Sequence, residues 1–226
     1  MSTFGVMAAV IATLGGLMLG VRSLQARKFV GPEIGRKLVH MGMGVIALPF
    51  PWIFRDSYPV WLLAALSIAI LGAVRLMPAA ANRFGAVLGG VERASLGEVF
   101  FPLGVAIAFT LAHGDAAAFC AAVGVLAFAD TAGALVGTRW GRLRYSFFGH
   151  KKSIEGSAAV FVVSAACVAI ASITLGAKTW DAGLTSGLFV GLVAALVEAI
   201  SSYGLDNLLL PAVVVELLKH YAAHRS

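Results

Sequence analysis

Charged residues are scarce in this sequence. Only 12% of the 226 residues are Asp, Glu, Lys or Arg, whereas 60% are hydrophobic and the mean hydropathy is +0.92. Soluble domains contain roughly 25% charged and about 45–50% apolar residues, so a soluble globular protein is excluded. The two cysteines, Cys120 and Cys167, lie inside apolar runs and have neither metal-ligand nor secreted-disulfide spacing. The composition predicts an integral membrane protein.

The sequence contains several long apolar segments. A membrane-spanning helix needs roughly 17–25 mostly apolar residues, and the sequence predicts about seven such helices, the first of them retained rather than cleaved. An eighth run, 208–218, is too short to count. The predicted fold is an all-α, polytopic membrane helix bundle that forms a single domain over residues 1–226. The predicted spans are 3–21, 38–54, 60–74, 99–112, 116–137, 156–175 and 182–201.

Basic residues alternate between the predicted loops. Thirteen of the seventeen Lys and Arg lie in the loops after the first, third and fifth spans. The positive-inside rule places such loops in the cytoplasm, so we expect the N-terminus outside and a bacterial inner membrane as the location. The same charge attracts anionic membrane lipids. Nucleic acid is not an expected partner, because no soluble basic domain is present to bind it.

Most polar residues of interest fall at the predicted cytoplasmic ends of the spans. A carboxylate inside a membrane helix costs at least about 2.5–3.5 kcal/mol and is usually functional, which singles out Asp130 and Glu198. The alternative for either residue is a carboxylate held by a nearby Lys or Arg only to fix helix packing. The full set comprises Arg36, Lys37, His40, Glu98, Asp130, Lys151, Lys152, Glu155, Glu198, Asp206 and Asn207.

Carboxylates and an Asn facing basic loops are typical of a site that holds a divalent cation together with a polyphosphate. Magnesium takes one or two carboxylates plus phosphate oxygens, and Lys and Arg neutralise charge on a transferred phosphoryl group. No Walker-type or protein-kinase motif set is present, so a nucleotide site would be of another kind. His40 is a candidate acid or base near neutral pH, or it orients a carboxylate.

The segment 149–156, GHKKSIEG, has the composition of a phosphate-binding loop. Glycine allows close backbone approach, Lys151 and Lys152 supply charge, and Ser153 can cap the helix that follows. A basic juxtamembrane loop with a helix cap explains the same residues equally well.

A second glycine pattern follows Asp130. Gly133, Gly137 and Gly141 repeat every four residues, a spacing that favours close helix packing in membranes. The other interpretation is a glycine-lined approach for a ligand.

Five short motifs occur in an order that resembles one known family. They are Arg36-Lys37-Leu38-Val39-His40, Gly97-Glu98 with Phe101-Pro102, Asp130-Thr131-Ala132-Gly133 followed by Gly137, Lys151-Lys152-Ser153-Ile154-Glu155-Gly156, and Glu198 followed by Asp206-Asn207. Together they resemble the membrane-bound polyprenol kinase family, which includes dolichol kinases, phytol kinases and the CTP-dependent diacylglycerol kinase. The length resembles the compact phytol-kinase type.

The resemblance implies transfer of the γ-phosphoryl group of CTP, or another nucleoside triphosphate, to a lipid alcohol such as phytol, geranylgeraniol or dolichol, with Mg²⁺ assisting. It implies that Asp130, Glu198 and His40 are catalytic and that Glu98 completes the pocket. An extra lysine precedes the usual Lys-Ser step, so which lysine meets the phosphate is open. The implied metal ligands are Asp130, Glu198, Asp206 and Asn207, and the implied nucleotide and phosphate contacts are Arg36, Lys37, Lys151, Lys152, Ser153, Glu155, Gly156, Gly133 and Gly137.

Three other functions are weighed against this one. A phosphatidate cytidylyltransferase-like CDP-lipid synthase would use a similar site but attack the α-phosphorus. A small ion-coupled transporter would bind a cation at Asp130 and Glu198, but the charges cluster at one end and no inverted repeat is visible. A structural scaffold would leave the carboxylates unexplained. Small-residue spacing serves contacts within and between chains, so the oligomeric state is left open.

Overall fold

The computed structural model is a bundle of apolar helices with one small β-hairpin. The structure describes residues 2–76, 97–147 and 150–223. A π-helical turn, Val125–Ala129, joins α6 to α7 into one continuous helix. The elements are α1 (Thr3–Ala26), α2 (Pro32–Ala47), α3 (Phe50–Ile53), α4 (Tyr58–Leu76), α5 (Gly97–Ala112), α6 (Ala116–Gly124), α7 (Asp130–Trp140), β1 (Arg144–Phe147), β2 (His150–Ser153), α8 (Ile154–Thr174), α9 (Trp180–Ile200) and α10 (Asp206–Ala223).

Four of these helical segments are long and apolar enough to cross a bilayer, as judged by length and composition. They are Thr3–Ala26, Ala116–Trp140, Ile154–Thr174 and Trp180–Ile200. The apolar segments Tyr58–Ala73 and Val99–Ala112 are shorter. The chain is a helical membrane protein, and each predicted span coincides with helix. The number of about seven spans and their orientation stay predictions.

Helix α2 differs most from its predicted span, 38–54. It begins at Pro32, because proline suits the first helical turn, where its missing N–H leaves no bond unmade. It ends at Ala47, before Pro49 and Pro51, and the short helix Phe50–Ile53 follows. Hydropathy detects only the apolar part of this helix, so the polar first turns that carry Lys37 lie outside the predicted span.

The centre of the bundle is the continuous helix formed by α6, the π turn and α7. Most residues from Ala117 to Ala129 are buried, and Phe119 and Leu126 are among the largest fully buried side chains. Many of these residues are alanine or glycine, which allow neighbouring helices to approach closely in a membrane. The helix leads directly into Asp130, so a carboxylate follows the most buried segment of the protein.

The β-hairpin is a feature that the all-α prediction missed. Strand Arg144–Phe147 pairs antiparallel with His150–Ser153, with Tyr145 opposite Lys152 and Ser146 opposite Lys151. Part of the predicted phosphate loop is therefore strand. Aromatic residues at alternate positions, followed by Gly149, are a hairpin signal that the sequence offered.

Helices α8 and α9 pack against each other through glycines. A methyl group on Gly191 would lie 2.8 Å from the backbone nitrogen of Ala165 and 2.9 Å from its Cα. A methyl group on Gly187 would likewise lie 2.6 Å from the Ala165 carbonyl oxygen. Because backbone atoms cannot turn aside as a side chain can, this interface depends on the absence of a side chain.

We expect Gly191→Ala to lower the thermal stability of the protein. Separating the two helices to admit one methyl group costs typically about 1–3 kcal/mol, which circular dichroism in detergent would register as a lower Tm. The control is Gly20→Ala in α1, where no atom lies within 4 Å of the new methyl group. Alanine at such an open helical position stabilises by roughly 0.5–1 kcal/mol. Equal Tm values for the two variants would contradict the close approach.

Candidate active site

Asp130 forms a buried ion pair with Lys37. The Lys37 Nζ lies 2.7 Å from Asp130 Oδ2, and the two side chains are only 7% and 15% exposed. The Nε2 atom of His40 lies 3.4 Å from the same oxygen. These contacts join the first half of α2 to the start of α7.

The π turn explains how His40 is held. A π-helical turn disturbs the regular backbone ladder and leaves carbonyl groups for other partners. His40 Nε2 lies 2.9 Å from the Leu126 carbonyl oxygen. A carbonyl can only accept, so Nε2 carries the proton and donates it. The His40 ring also packs edge-on against Phe101, with centroids 4.6 Å apart. The geometry therefore favours the orienting role for His40.

A second ion pair joins the hairpin to α9. The Lys152 Nζ lies 2.6 Å from Glu198 Oε1 and also donates to the Glu198 backbone carbonyl. The two side chains are 19% and 15% exposed. Lys152 is thus committed to the last turn of α9, where a cation also interacts favourably with the helix dipole.

Asp206 lies close to both ion pairs. Burial raises the pKa of Asp206 to about 6, the negative charges of Asp130 and Glu198 raise it as well, and Lys152 and Lys37 oppose the rise. Its carboxylate makes no ion pair or hydrogen bond with the part of the chain that the structure describes. The five charged side chains therefore gather at one end of the bundle.

The neighbouring Asn207 ties α10 to α5. Its Nδ2 donates to the Gly97 carbonyl at 3.0 Å. Its Oδ1 is buried and has no hydrogen-bond donor among the described residues. Asn207 thus offers one unused oxygen, at the position that follows Asp206 in the chain.

The two adjacent lysines of β2 have different surroundings. Neighbouring residues of a strand point to opposite faces, so Lys152 faces Glu198 while Lys151 is exposed to solvent. No charge or acceptor within the described ranges holds the Lys151 side chain. This contrast bears on which lysine is available for a phosphate.

Ser153 and Glu155 organise the segment that links the hairpin to α8. Ser153 caps α8 by accepting a hydrogen bond from the Gly156 N–H at 3.1 Å, as its position predicted. Glu155 Oε1 accepts the backbone N–H groups of Arg142 and Leu143 at 3.0 and 3.2 Å. Both residues thus shape the backbone around the hairpin.

The glycines after Asp130 lie at a helix contact. A side chain on Gly133 would meet Val160, and one on Gly137 would lie 3.1 Å from Ser153 Oγ and 3.6 Å from the Gly156 Cα. These contacts account for the four-residue spacing by packing of α7 against α8. A direct contact of Gly133, Gly137 or Gly156 with nucleotide stays a prediction.

Two predicted residues lie at the margin of this cluster. Arg36 pairs with Glu33 at 2.7 Å on the exposed face of α2, and this pairing lowers the pKa of Glu33. Glu98 belongs to the first turn of α5, but its side chain is outside the described part of the structure. No side-chain pattern predicts the Leu126 carbonyl as a partner of His40. Phe101 belongs to one of the five motifs, but its contact with the His40 ring was not predicted.

One comparison with known proteins decides the family. The chain is 32% identical over 207 residues to "Phytol kinase" from Synechocystis sp. (strain ATCC 27184 / PCC 6803 / Kazusa), an alignment that covers 88% of this chain and 83% of that protein. The chain belongs to the phytol kinase family. As a phytol kinase family member it is an enzyme, a phosphotransferase with an alcohol group as acceptor. No family model and no solved structure matches the chain.

A phosphotransferase of the phytol kinase family needs a nucleoside triphosphate as donor, and Mg²⁺ normally accompanies such a donor. The described residues contain no group of three or more His, Cys, Asp or Glu side chains that could hold a metal ion. Asp130 and Glu198 are each paired with a lysine. Asp206 and the Asn207 Oδ1 are the oxygens left over, and they fit a cation bound mainly by phosphate oxygens and water.

We expect Lys37→Met to lower the free energy of unfolding and the Tm of this protein strongly. Removing one partner of a buried ion pair costs roughly 3–5 kcal/mol, because the other charge stays buried without compensation. The double variant Lys37→Met/Asp130→Asn removes both charges. Its Tm should therefore be higher than that of Lys37→Met and close to that of the unmodified protein. The control is Lys219→Met, whose pair with Glu216 is exposed and worth about 0–1 kcal/mol. A double variant that melts as low as Lys37→Met would contradict the pairing.

Proposed function

We propose that this protein transfers the γ-phosphoryl group of CTP, or another nucleoside triphosphate, to the hydroxyl of an isoprenoid alcohol such as phytol, geranylgeraniol or dolichol. The observation that carries the proposal is the gathering of Asp130, Glu198 and Asp206 with Lys37 and Lys152 at one end of an apolar bundle. A phosphotransferase that acts on a membrane-dissolved alcohol needs such a charged site at the edge of an apolar phase.

Asp130 is the residue we assign as general base. Its Oδ2 accepts from Lys37, whereas Oδ1 accepts no hydrogen bond from the described residues. Oδ1 is therefore available to take the proton of the alcohol as its oxygen attacks the γ-phosphorus and the bond to the β–γ bridging oxygen breaks. A positioned base contributes typically about 10²–10⁴-fold to the rate. Lys37 and His40 position the carboxylate.

Glu198 and Lys152 have a different part in the proposal. Because their charges are satisfied by each other, we assign them to fixing the hairpin against α9 rather than to proton transfer. Asp206 and Asn207 would hold Mg²⁺, which screens the phosphate charge and orients the γ-phosphoryl group when bound. Lys151, exposed on the other face of β2, would meet the phosphates from the solvent side.

The membrane orientation belongs to the same proposal. The loops after the first, third and fifth predicted spans carry most of the Lys and Arg, and the charged site lies at the end of the bundle where these loops begin. With the N-terminus outside a bacterial inner membrane, the site faces the cytoplasm, where nucleotide is available. Residues 1–226 would then form one membrane-embedded kinase domain.

The direct test is to incubate purified protein in detergent with Mg²⁺, γ-labelled CTP or ATP, and a panel of lipid alcohols. Label in an isoprenoid alcohol supports the kinase. A CDP-lipid formed from phosphatidate in a parallel α-labelled reaction would instead support a cytidylyltransferase. Silence in both reactions would overturn the kinase proposal and make cation transport the next activity to measure.

Asp130→Asn should remove nearly all label transfer while the protein stays membrane-inserted, with a Tm that is lowered, but by less than in Lys37→Met. The amide oxygen can still accept from Lys37, so the contact is kept, but the amide cannot take up the proton of the alcohol. The matched control is Asp56→Asn, which makes the same exchange at an exposed position between α3 and α4. Both Tm and label transfer are measured, and a normal rate in Asp130→Asn would remove this residue from the site.

Lys151→Ala should raise the KM for nucleotide and leave Tm unchanged, because this lysine has no partner in the described ranges that its loss would strand. The expected rise is at least roughly tenfold, since the loss of one charge-assisted hydrogen bond to phosphate costs about 1.5–3 kcal/mol. Lys219→Ala, on the far half of α10, serves as the control. An unchanged KM for nucleotide would show that Lys151 does not bind phosphate and would leave it a role in membrane topology alone.

A further inference from the structure

An apolar cavity lies between α1, α2, α4 and α5. Its volume is about 180 Å³, and every lining side chain among the described residues is apolar except for Ser67. Neither the ion pairs nor the hairpin uses this space. The lining includes Val10 and Gly15 from α1, Met43 from α2, Ala64 from α4 and Phe101 from α5.

The cavity adjoins the charged site at Phe101. Phe101 lines the cavity and is only 2% exposed, and its ring packs against the His40 ring. His40 Nε2 lies 3.4 Å from Asp130 Oδ2. Val39, the neighbour of His40 in the chain, also lines the cavity. One end of the apolar space therefore lies at Phe101, whose ring contacts the histidine that positions Asp130.

The cavity runs along the helices for a distance that suits an extended hydrocarbon. On α4 its lining extends from Val60 to Leu71, which is roughly 16 Å of helix axis at 1.5 Å per residue. On α1 it extends from Val10 to Met18, roughly 12 Å. With carbon–carbon bonds of about 1.5 Å, such a length equals about three isoprene units in an extended chain, of which a cavity of about 180 Å³ encloses only a part.

We propose that this cavity binds the hydrocarbon chain of the isoprenoid alcohol and places its hydroxyl at the Phe101 end, beside Asp130. This inference rests on the proposed function. The hydroxyl is the one polar group of such an alcohol, which matches a lining with a single polar side chain. A diacylglycerol would bring ester carbonyls into the cavity, and buried polar groups without a hydrogen-bond partner are costly.

The cavity acts by positioning the alcohol rather than by attracting it from the membrane. Lipid tails are as apolar as the cavity lining, so transfer between them supplies little driving force. Packing along the chain instead fixes the distance from the hydroxyl to Asp130. We therefore expect a blocked cavity to lower kcat/KM for long alcohols while the KM for nucleotide stays the same.

Two neighbouring glycines of α1 provide the test. No atom lies within 4 Å of a side chain built on Gly15 or on Gly16, but Gly15 lines the cavity and Gly16 is exposed outside it. Gly15→Phe should lower kcat/KM for geranylgeraniol at least roughly tenfold, since a displacement of about 1 Å can cost about 100-fold. Prenol, with a single isoprene unit, should lose much less, and Gly16→Phe should behave as the unmodified protein.

A second pair of variants protects the test against misfolding of the first. Ser67→Phe enters the cavity from α4, and Ala69→Phe makes the same addition on the exposed face of that helix. A binding measurement independent of catalysis completes the design. A photoreactive geranylgeraniol analogue should label peptides of α1 and α4 in the unmodified protein, and Gly15→Phe should lose that labelling.

The outcomes separate this inference from the proposed function. Phosphorylation of geranylgeraniol with equal kcat/KM in Gly15→Phe and Gly16→Phe would overturn the cavity assignment and leave the kinase intact. Absence of phosphorylation, with labelling that Gly15→Phe abolishes, would reject the kinase and keep the cavity. Labelling outside α1, α2, α4 and α5 rejects the cavity whatever the activity. A preference for diacylglycerol that Gly15→Phe removes would replace the isoprenoid chain as occupant.

Discussion

The ion pair between Lys37 and Asp130 is the contact on which the arrangement of the site depends. A carboxylate in the apolar interior of a membrane protein needs a partner, and α2 supplies it from a polar first half that hydropathy alone would exclude from the bundle. Once that pair forms, His40 meets the Leu126 carbonyl and Gly44 approaches Ala127 closely. One electrostatic contact therefore sets the register of α2 against the central helix.

The second ion pair, Lys152 with Glu198, fixes the hairpin against α9, just as the first pair fixes α2 against the central helix. The two lysines offset two of the three carboxylates, so an ionised Asp206 leaves one negative charge in excess. Its raised pKa reflects that excess together with burial. A site in this state favours a cation, and a cation that arrives with a polyphosphate is a consistent ligand. Stability and the capacity to bind a charged substrate thus come from the same few side chains.

Hydropathy predicted the helices because a span is a property of local composition, which the sequence displays directly. It did not predict the pairing, because several lysines and carboxylates share one end of the bundle and many pairings satisfy the same pattern. The π turn and the Leu126 carbonyl were invisible because they are backbone features. The sequence did not predict the cavity for another reason. The cavity is a space between helices, and the residues that line it, such as Gly15 and Ala64, are also typical of ordinary helix packing.

The placement of these parts suits a reaction between substrates from different phases. In the proposed function, the exposed Lys151 of the hairpin meets the nucleotide, whereas Phe101 separates the His40 ring from the apolar cavity that takes the alcohol. A soluble nucleotide and a membrane-dissolved alcohol would then reach Asp130 from opposite directions, and neither would have to cross the other's medium. Because phosphoryl transfer depends chiefly on positioning and charge stabilisation, rigid ion pairs between two such approaches supply most of what the chemistry requires.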